Sequence, residues 1–462
     1  MLELRSRIEE VTTRILKLAA ARVKLASELG RVKRELGLSV YDPRRELELA
    51  KAAVKVADEA RVPREFALEV LAVLLSQGRR AQGFTLEEAE SPFYSLVRQA
   101  STVNNAIRLD IGETCFTPPR EALEAAVKSI ERGEFRYTPA AGLPDVRARV
   151  AELLSERLGV DLKAENVALT PGAKMGVYAS MAALAGLGSR VLVFKPSWPA
   201  FTEIAARLKA ITIEVERRIE EDWSITEVPE ADFTIVCSPD NPTGRALSRD
   251  ELEHIAEKAE EHNAVLLSDE TYGWLSFREH SSVLQAGCSK AVYVTSLSKA
   301  FGMTGFRAGV VVSSPSMVEK IAKVQSLAVT CVPPFIQRAA AAALETKADE
   351  QNKRKLRRLL EVAEAELASA PLRYYRPDGG LYLFPEVMVE EFAGTEFSRR
   401  LLHEGKVAVA PGSGFGAEYS RYLRITYSVG EETLKAGLAK LRDALDQYSW
   451  SRSNGKQASK VL

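Results

Sequence analysis

One lysine late in the chain has the setting for covalent chemistry. Lys299 stands in the run Ala291 to Gly309, AVYVTSLSKAFGMTGFRAG. The run opens apolar at Val292, Tyr293 and Val294, as a buried strand does. It turns polar at Ser296 and Ser298 and then presents Lys299. A lysine at the end of a buried strand is held firmly and loses part of its water. Desolvation lowers an ammonium pKa and favours the free amine that Schiff-base chemistry needs. Gly302, Gly305 and Gly309 let the backbone approach a ligand closely. Arg307 suits bidentate binding of a phosphate. Upstream, PGAK (Pro171 to Lys174) ends an apolar run and starts a helix, so the N–H groups of Gly172, Ala173 and Lys174 are expected to face an anion. SPDNPTG (Ser238 to Gly244) supplies Asn241. LLSDETY (Leu267 to Tyr272) ends a strand on Asp269 and adds Tyr272 three residues later.

A second set of charged residues lies at helical spacing near the start. Apolar residues recur at Leu4, Ile8, Val11, Ile15, Leu18, Leu25, Leu29, Val32 and Leu36, in steps that alternate between four and three. This is a heptad-like seam on one long helix. Arg22 interrupts the seam between Leu18 and Leu25. A cation there must be paired or serve a ligand. Lys33 follows after eleven residues, which at about 100° per residue returns to nearly the same face. Gly37 is expected to stop this helix. Asp42 and Pro43 open a second as N-cap and first helical residue, with Arg45 and Glu46 in its first turn. Val62-Pro63 opens a third, ending at Gln82. One long and two shorter helices bury too little core alone, so dimerisation is expected.

The elements that must position these residues follow from the rest of the chain. At 462 residues it should hold two or three domains. Lys and Arg number 63 against 63 Asp and Glu, which argues against nucleic-acid or membrane-surface partners. No apolar run is long enough for a membrane helix. The N-terminus is charged, unlike a signal peptide. Cys115, Cys237, Cys288 and Cys331 are dispersed, which suits a reducing cytoplasm, and the four histidines do not cluster as metal ligands do. Strands are expected at Val167–Thr170, Val191–Phe194, Phe233–Cys237, Ala264–Ser268, Val292–Thr295 and Val310–Ser313, alternating with helices. That alternation implies a mostly parallel α/β sheet. The expected plan is an all-α N-terminal helical domain (1–85), a linker (86–104), an α/β body with a smaller α+β domain (105–450) and a polar, disordered tail (451–462).

In order, type and spacing, PGAK, SPDNPTG, LLSDETY, SLSK and Arg307 resemble the fold-type I, pyridoxal-phosphate-dependent aminotransferases. The resemblance covers roughly residues 95–450. It implies that Lys299 carries the pyridoxal 5'-phosphate cofactor. Asp269 would face its ring nitrogen, and Asn241 and Tyr272 its phenolic oxygen. Gly172, Ala173, Lys174, Ser296 and Arg307 would surround its phosphate. FKPSWPAF (Phe194 to Phe201) places Trp198 where the family often stacks an aromatic ring. LDIGETCF (Leu109 to Phe116) resembles the family's substrate lid, with Gly112 offering its backbone to a substrate carboxylate. RYTPAAGLPDVR (Arg136 to Arg147) resembles the stretch whose tyrosine, here Tyr137, reaches the neighbouring subunit's phosphate. YLRITYS (Tyr422 to Ser428) places Arg424 as the α-carboxylate ligand.

The N-terminal segment resembles the all-helical class of chorismate mutase, without a gap from Leu4 to Gln82. LRSRI carries Arg5, AARVKLA carries Arg22, GRVK carries Lys33, DPRRE carries Asp42, Arg45 and Glu46, and Gln82 completes the set. The resemblance implies that the arginines bind two carboxylates, one arginine reaching across from a partner chain. Lys33 and Gln82 would then hydrogen-bond the ether oxygen of the breaking bond, and the acid would hold the hydroxyl. Gly78 departs from the family, which often has a serine there; the expected consequence falls on affinity more than on chemistry. A DNA-binding domain is a poor alternative, because the first helix is too long and the charge is mixed.

The combined expectation is a cytoplasmic, homodimeric, bifunctional enzyme of aromatic amino acid biosynthesis. It would rearrange chorismate to prephenate and transaminate phenylpyruvate or 4-hydroxyphenylpyruvate, with glutamate or aspartate as donor. Prephenate as acceptor, giving arogenate, is the alternative. A third reading is an aspartate-type aminotransferase with the N-terminal helices as an assembly module; the sequence shows no second carboxylate-binding cation for it.

Overall fold

A computed structural model describes residues 1–36, 40–83 and 91–458, with side chains to residue 448. Three helices come first: α1 (Leu2–Glu35), α2 (Pro43–Ala60) and α3 (Arg64–Ala81). The start of α2 follows from its cap. The Asp42 side chain accepts from the Arg45 N–H at 3.0 Å, and Pro43, which lacks an N–H, opens the helix. Gly37, the expected stop of α1, lies outside the described residues. Within one chain the seam of α1 is unpartnered: Leu4, Ile8, Val11, Ile15, Leu18, Leu25, Leu29 and Val32 are all exposed.

Helix α4 (Pro92–Thr102) occupies much of the expected linker, capped by Ser91, whose hydroxyl accepts from the Phe93 N–H. The body that follows is built on seven strands: β1 (Val167–Pro171), β2 (Arg190–Lys195), β3 (Ile211–Glu216), β4 (Phe233–Cys237), β5 (Val265–Asp269), β6 (Ala291–Ser296) and β7 (Ala308–Val312). Their order is β1-β7-β6-β5-β4-β2-β3. All pairs are parallel except those made by β7, which runs antiparallel to both neighbours. All six expected strands are present, with ends shifted by up to two residues. The seventh, β3, was not expected. Its sequence ITIEVE alternates apolar residues with Thr212, Glu214 and Glu216, as suits an edge strand with one more polar face.

Alternate residues of each strand feed the two faces of the sheet. Leu192 and Phe194 join one buried cluster, and Val191 and Val193 the other. In β6, Tyr293 faces the first cluster, while Val292 and Val294 face the second. Helix α5 (Ala173–Leu184), starting directly after β1, packs with the second. The smaller domain carries an antiparallel sheet of β8 (Tyr382–Leu383), β9 (Ala410–Pro411) and β10 (Leu423–Thr426), with β10 in the middle. Helix α6 runs from Glu431 to Ala458, so the helix continues into residues expected to be a disordered tail. No proline interrupts that stretch.

The N-terminal helices dock on the outer edge of the large sheet. Ile211 of β3 is buried in one cluster with Ala50 of α2 and Leu68, Leu71 and Leu75 of α3. Gly188, just before β2, lies so close to α3 that a Cβ there would stand 2.7 Å from the Leu68 carbonyl carbon. The Arg44–Glu216 ion pair across this seam is exposed and adds little. Among the described residues no helix is long and apolar enough to cross a membrane, and no group of three or more His, Cys, Asp and Glu could hold a metal ion.

Candidate active sites

The strand ends of β1, β4, β5 and β6 open on a cavity of about 260 Å³. Lys299 lies in the short helix Leu297–Ala300 that continues β6, and its ammonium donates to the Gly112 carbonyl oxygen. Burial holds the Lys299 pKa below its ordinary range, and Arg424 and Arg307 act in the same direction. Asp269 ends β5. Burial pushes its carboxyl up to about 6, against the bonds it accepts from the Thr271 hydroxyl at 2.6 Å and N–H at 3.1 Å. Tyr272 follows, its hydroxyl 3.3 Å from that of Tyr382 in β8.

The N-terminus of α5 and Arg307 form one end of the cavity. Arg307 has a φ of 55°, a strained backbone for a residue with a side chain. Its guanidinium donates to the Thr304 and Pro171 carbonyl oxygens at 3.0 and 3.3 Å. It crosses directly over Gly172, where a Cβ would stand 2.5 Å from Nη2. Gly172 also has a φ of 78°, so glycine is required there on both counts. One expectation needs correction: the Gly172 N–H is engaged by the Thr170 carbonyl oxygen at 2.7 Å. The turn that brings the strand into α5 uses that donor, which leaves the N–H groups of Ala173 and Lys174 to meet an anion. Ser296 lines the same end, its hydroxyl accepting from the Ser298 N–H at 2.9 Å.

Arg424 projects from β10 and is only 1% exposed. It donates to the Asn241 side-chain oxygen at 2.9 Å and the Asp110 carbonyl oxygen at 2.5 Å. Its guanidinium lies 4.0 Å from the Tyr382 ring centroid and 4.6 Å from that of Phe93. Its Nε is buried without a partner. With its oxygen on Arg424, the Asn241 amide leaves its NH2 end as the free donor.

Lys174 adds a fourth cation to the cavity wall. Its ammonium lies 5.1 Å from the Trp198 ring centroid and 5.5 Å from that of Tyr94. Partial burial lowers its pKa, and Glu203 opposes this. No described residue makes an ion pair with it. Lys174, Lys299, Arg307 and Arg424 therefore share a wall in which Asp269 is the one carboxylate. Such a site suits a ligand set carrying several negative charges. The sequence reading assigned Lys174 only through its backbone; the structure places its side chain on the cavity wall as a further cation.

A second cavity, of about 250 Å³, lies among the three N-terminal helices. Arg22, Lys33, Asp42, Arg45, Glu46 and Gln82 all line it, with Gly78 and Arg79. Arg22 donates to the Leu74 carbonyl oxygen at 2.6 Å and passes over Gly78, where a Cβ would stand 3.0 Å from its Nη1. The glycine therefore makes room for the arginine. Gly30 brings α1 against the end of α3, because a Cβ there would lie 2.6 Å from the Gln82 Cα. This puts Gln82 in the same cavity as Lys33, whose ammonium donates to the Val40 carbonyl oxygen at 3.0 Å. The Gln82 side-chain oxygen is buried without a partner. Glu46 is buried and accepts with both oxygens from Arg79 Nη1, each at 2.7 Å. Arg45 is turned outward to Glu48 at 2.5 Å.

Residues 104–441 match the family described as aminotransferase class I and II, and residues 4–83 the family described as chorismate mutase type II. The chain belongs to the class I and II aminotransferases, with a chorismate mutase fused in front. Among its relatives is an aspartate aminotransferase of Thermococcus kodakarensis, 35% identical over 78% of this chain and 94% of that protein. Another, of Aquifex aeolicus, is described as a probable aspartate/prephenate aminotransferase; it is 31% identical over 74% of this chain and 92% of that protein. The crystal structure of aspartate aminotransferase from Thermotoga maritima superposes with a TM-score of 0.72 at 28% identity, covering 77% of this chain and 97% of that one. The fusion is thus an isomerase and a transferase in one polypeptide, and enzymes of its aminotransferase class depend on pyridoxal phosphate.

Two expected site residues of this mutase–aminotransferase stand apart within one chain. Tyr137 is 87% exposed and does not line the cavity. Arg5 lies 17 positions before Arg22 on the same helix, about 26 Å away at 1.5 Å per residue, and is exposed. Residues that sequence reasoning missed include Tyr382, Phe93, Tyr94, Thr271 and Ser298 around the larger cavity and Arg79 in the mutase cavity. Phe93 and Tyr94 stand in a stretch read as linker. Tyr382 stands in YRPDGGLYLFPEV (Tyr375 to Val387), far along the chain from the other motifs.

Proposed function

We propose that the fusion converts chorismate to prephenate in its helical domain and transaminates prephenate itself, with glutamate or aspartate as donor, in its second domain. The observation that carries the choice of acceptor is Lys174, a cation on the cavity wall that makes no ion pair with a described residue. Glutamate, aspartate and prephenate each carry a carboxylate beyond the one Arg424 would take; phenylpyruvate does not. The aromatic walls, Phe93, Tyr94 and Tyr382, suit the ring of prephenate. This favours the arogenate alternative over the phenylpyruvate reading of the sequence.

The residues present fit pyridoxal phosphate. Asp269 would hold its ring nitrogen protonated, Asn241 and Tyr272 would meet its phenolic oxygen, and Trp198 would lie on its ring. Ser296, Arg307 and the N–H groups of Ala173 and Lys174 would hold its phosphate. When bound, the cofactor supplies the electron sink for a carbanion at Cα. The chain does the rest. Arg424 orients the α-carboxylate, and Lys174 the second one. The Lys299 amine takes the proton from the donor Cα and returns one to the Cα of the acceptor. Its lowered pKa keeps it available as a base.

In the mutase cavity no covalent step is needed. Arg22, with Arg5 of a second copy, would bind the two substrate carboxylates. Lys33 and Gln82 would meet the ether oxygen where negative charge develops, a preorganised stabilisation. Glu46 would hold the substrate hydroxyl, with Asp42 and Arg45 at the rim. The exposed seam of α1 supports a homodimer that buries it and brings Arg5 across. Tyr137, exposed on one chain, would likewise serve the neighbour's phosphate.

Lys174→Met tests the acceptor. Loss of a charge-assisted contact should raise KM for glutamate and prephenate about tenfold or more, and leave phenylpyruvate with tyrosine as donor nearly unchanged. Equal losses on both substrate pairs would return the acceptor to phenylpyruvate or 4-hydroxyphenylpyruvate.

A further inference from the structure

The mutase cavity contains one charged residue to which neither the sequence motifs nor the reaction scheme assigns a part. Arg79 lies in the last turn of α3, and its guanidinium gives Nη1 to both oxygens of Glu46. The two side chains are 11% and 9% exposed. A single nitrogen shared by both oxygens leaves the outer lone pairs of the carboxylate open to the cavity. Burial drives the Glu46 pKa up, and Arg79 is the largest influence opposing it. Of the other charged groups that face Glu46, Lys33 of α1 also favours the carboxylate, while Asp42 at the start of α2 opposes it. Arg79 is thus the main group that favours the carboxylate form of this buried acid.

Arg79 is itself held from the other domain. Its guanidinium lies 5.7 Å from the ring centroid of Tyr41. Tyr41 in turn has Thr212 and Glu214, both in strand β3 of the aminotransferase body, as its neighbours. Ile211, next to Thr212, is the residue of β3 buried against α2 and α3. A line of neighbouring groups therefore runs from β3 through Tyr41 and Arg79 to the carboxylate in the mutase cavity.

We infer that Arg79 is a positioning residue for the rearrangement, fixing the Glu46 carboxylate from behind, and that the aminotransferase body fixes Arg79 through Thr212 and Tyr41. The inference rests on the mutase reading of this cavity. It explains how a domain too thin to bury a core alone keeps one wall of its site rigid: the sheet edge supplies the missing support.

The test uses the full-length, cofactor-loaded protein and the pH dependence of chorismate consumption. In Arg79→Met, Glu46 loses its main cation, so it takes up its proton at higher pH. The acidic limb of kcat/KM should move up by about one pH unit or more, with a loss of about tenfold at pH 7 that shrinks as the pH rises. Arg79→Lys should restore most of the limb. Thr212→Val should move it in the same direction by less, and the transamination rate of each variant reports that the body is folded. A merely structural strut would lower the rate equally at every pH. An unmoved limb in Arg79→Met overturns the inference, and an unmoved limb in Thr212→Val overturns its cross-domain half. Wild-type protein that leaves chorismate untouched would instead remove the mutase reading.

Discussion

The Lys299 ammonium donates a hydrogen bond to the carbonyl oxygen of Gly112, 187 residues earlier in the chain. The contact ties the lysine to the segment beneath Tyr382. A Cβ at Gly112 would run into the Tyr382 hydroxyl and stand 3.4 Å from Lys299 Nζ. Gly112→Ala should therefore displace both groups and cost about a hundredfold in transamination, because a shift of an ångström at a reacting centre has that effect. Chorismate consumption should be unchanged. In the Tyr382→Phe background the oxygen is gone and the nearest ring carbon lies 3.3 Å away. The same glycine change should then cost much less. Steady-state rates of the four proteins check this; equal costs in both backgrounds would contradict it.

Asp269 gives a prediction about stability. Its carboxyl is buried and pushed up to about 6 from 3.8, so the folded protein resists its ionisation. A raised carboxyl pKa carries no penalty below the unfolded value. The penalty grows as pH rises through the interval and is complete above about 6, at roughly 3 kcal/mol. Cofactor-free Asp269→Asn should therefore melt higher than cofactor-free wild type at pH 8 and closer to it at pH 4.5. The same variant should lose transamination. Calorimetry at the two pH values checks the sign.

Two glycines separate geometry from affinity in the mutase cavity. Gly30→Ala sets a Cβ 2.6 Å from the Gln82 backbone, which cannot move without shifting α3. It should lower kcat for chorismate by about tenfold or more. Gly78→Ser meets only the far end of the flexible Arg22 side chain at 3.0 Å. It should change KM severalfold and kcat little. Transamination by both variants should match wild type.

The exposed seam of α1 and the distance of Arg5 from the cavity predict shared sites. Arg5→Ala and Lys33→Ala should each be nearly inactive as mutases. In a mixed dimer one site carries both defects and the other carries neither. Mixed and re-equilibrated in equal amounts, the two variants should recover about one quarter of wild-type chorismate consumption. No recovery, with subunit exchange demonstrated, would place the whole mutase site in a single chain.

Much of this was legible in the sequence, for physical reasons. Asp269 and Lys299 sit where, or just after, apolar strands end and polar residues begin, and a short continuous apolar run marks such strands. Asp42-Pro43 announces α2 because an N-cap and a proline both need that position. β3 escaped notice because polar residues alternate through ITIEVE, the mark of an edge; that edge is where the helical domain docks. Lys174 was read only as a backbone donor, since nothing in PGAK tells which way its side chain turns. Tyr382 and Phe93 reach Arg424 from elements far away in sequence, as Arg79 reaches Glu46, and one-dimensional spacing carries no trace of such contacts. Arg5 and Tyr137 were legible from resemblance, and within one chain each is left pointing to solvent.

The central claim is that one polypeptide carries chorismate through to an aminated product. The most direct measurement incubates the purified protein with chorismate, glutamate and pyridoxal phosphate, without any other enzyme, and separates the products at neutral pH. The account predicts loss of chorismate, transient prephenate, and arogenate in step with 2-oxoglutarate. Prephenate that accumulates without amination would contradict prephenate as acceptor, and chorismate left unchanged would contradict the claim itself.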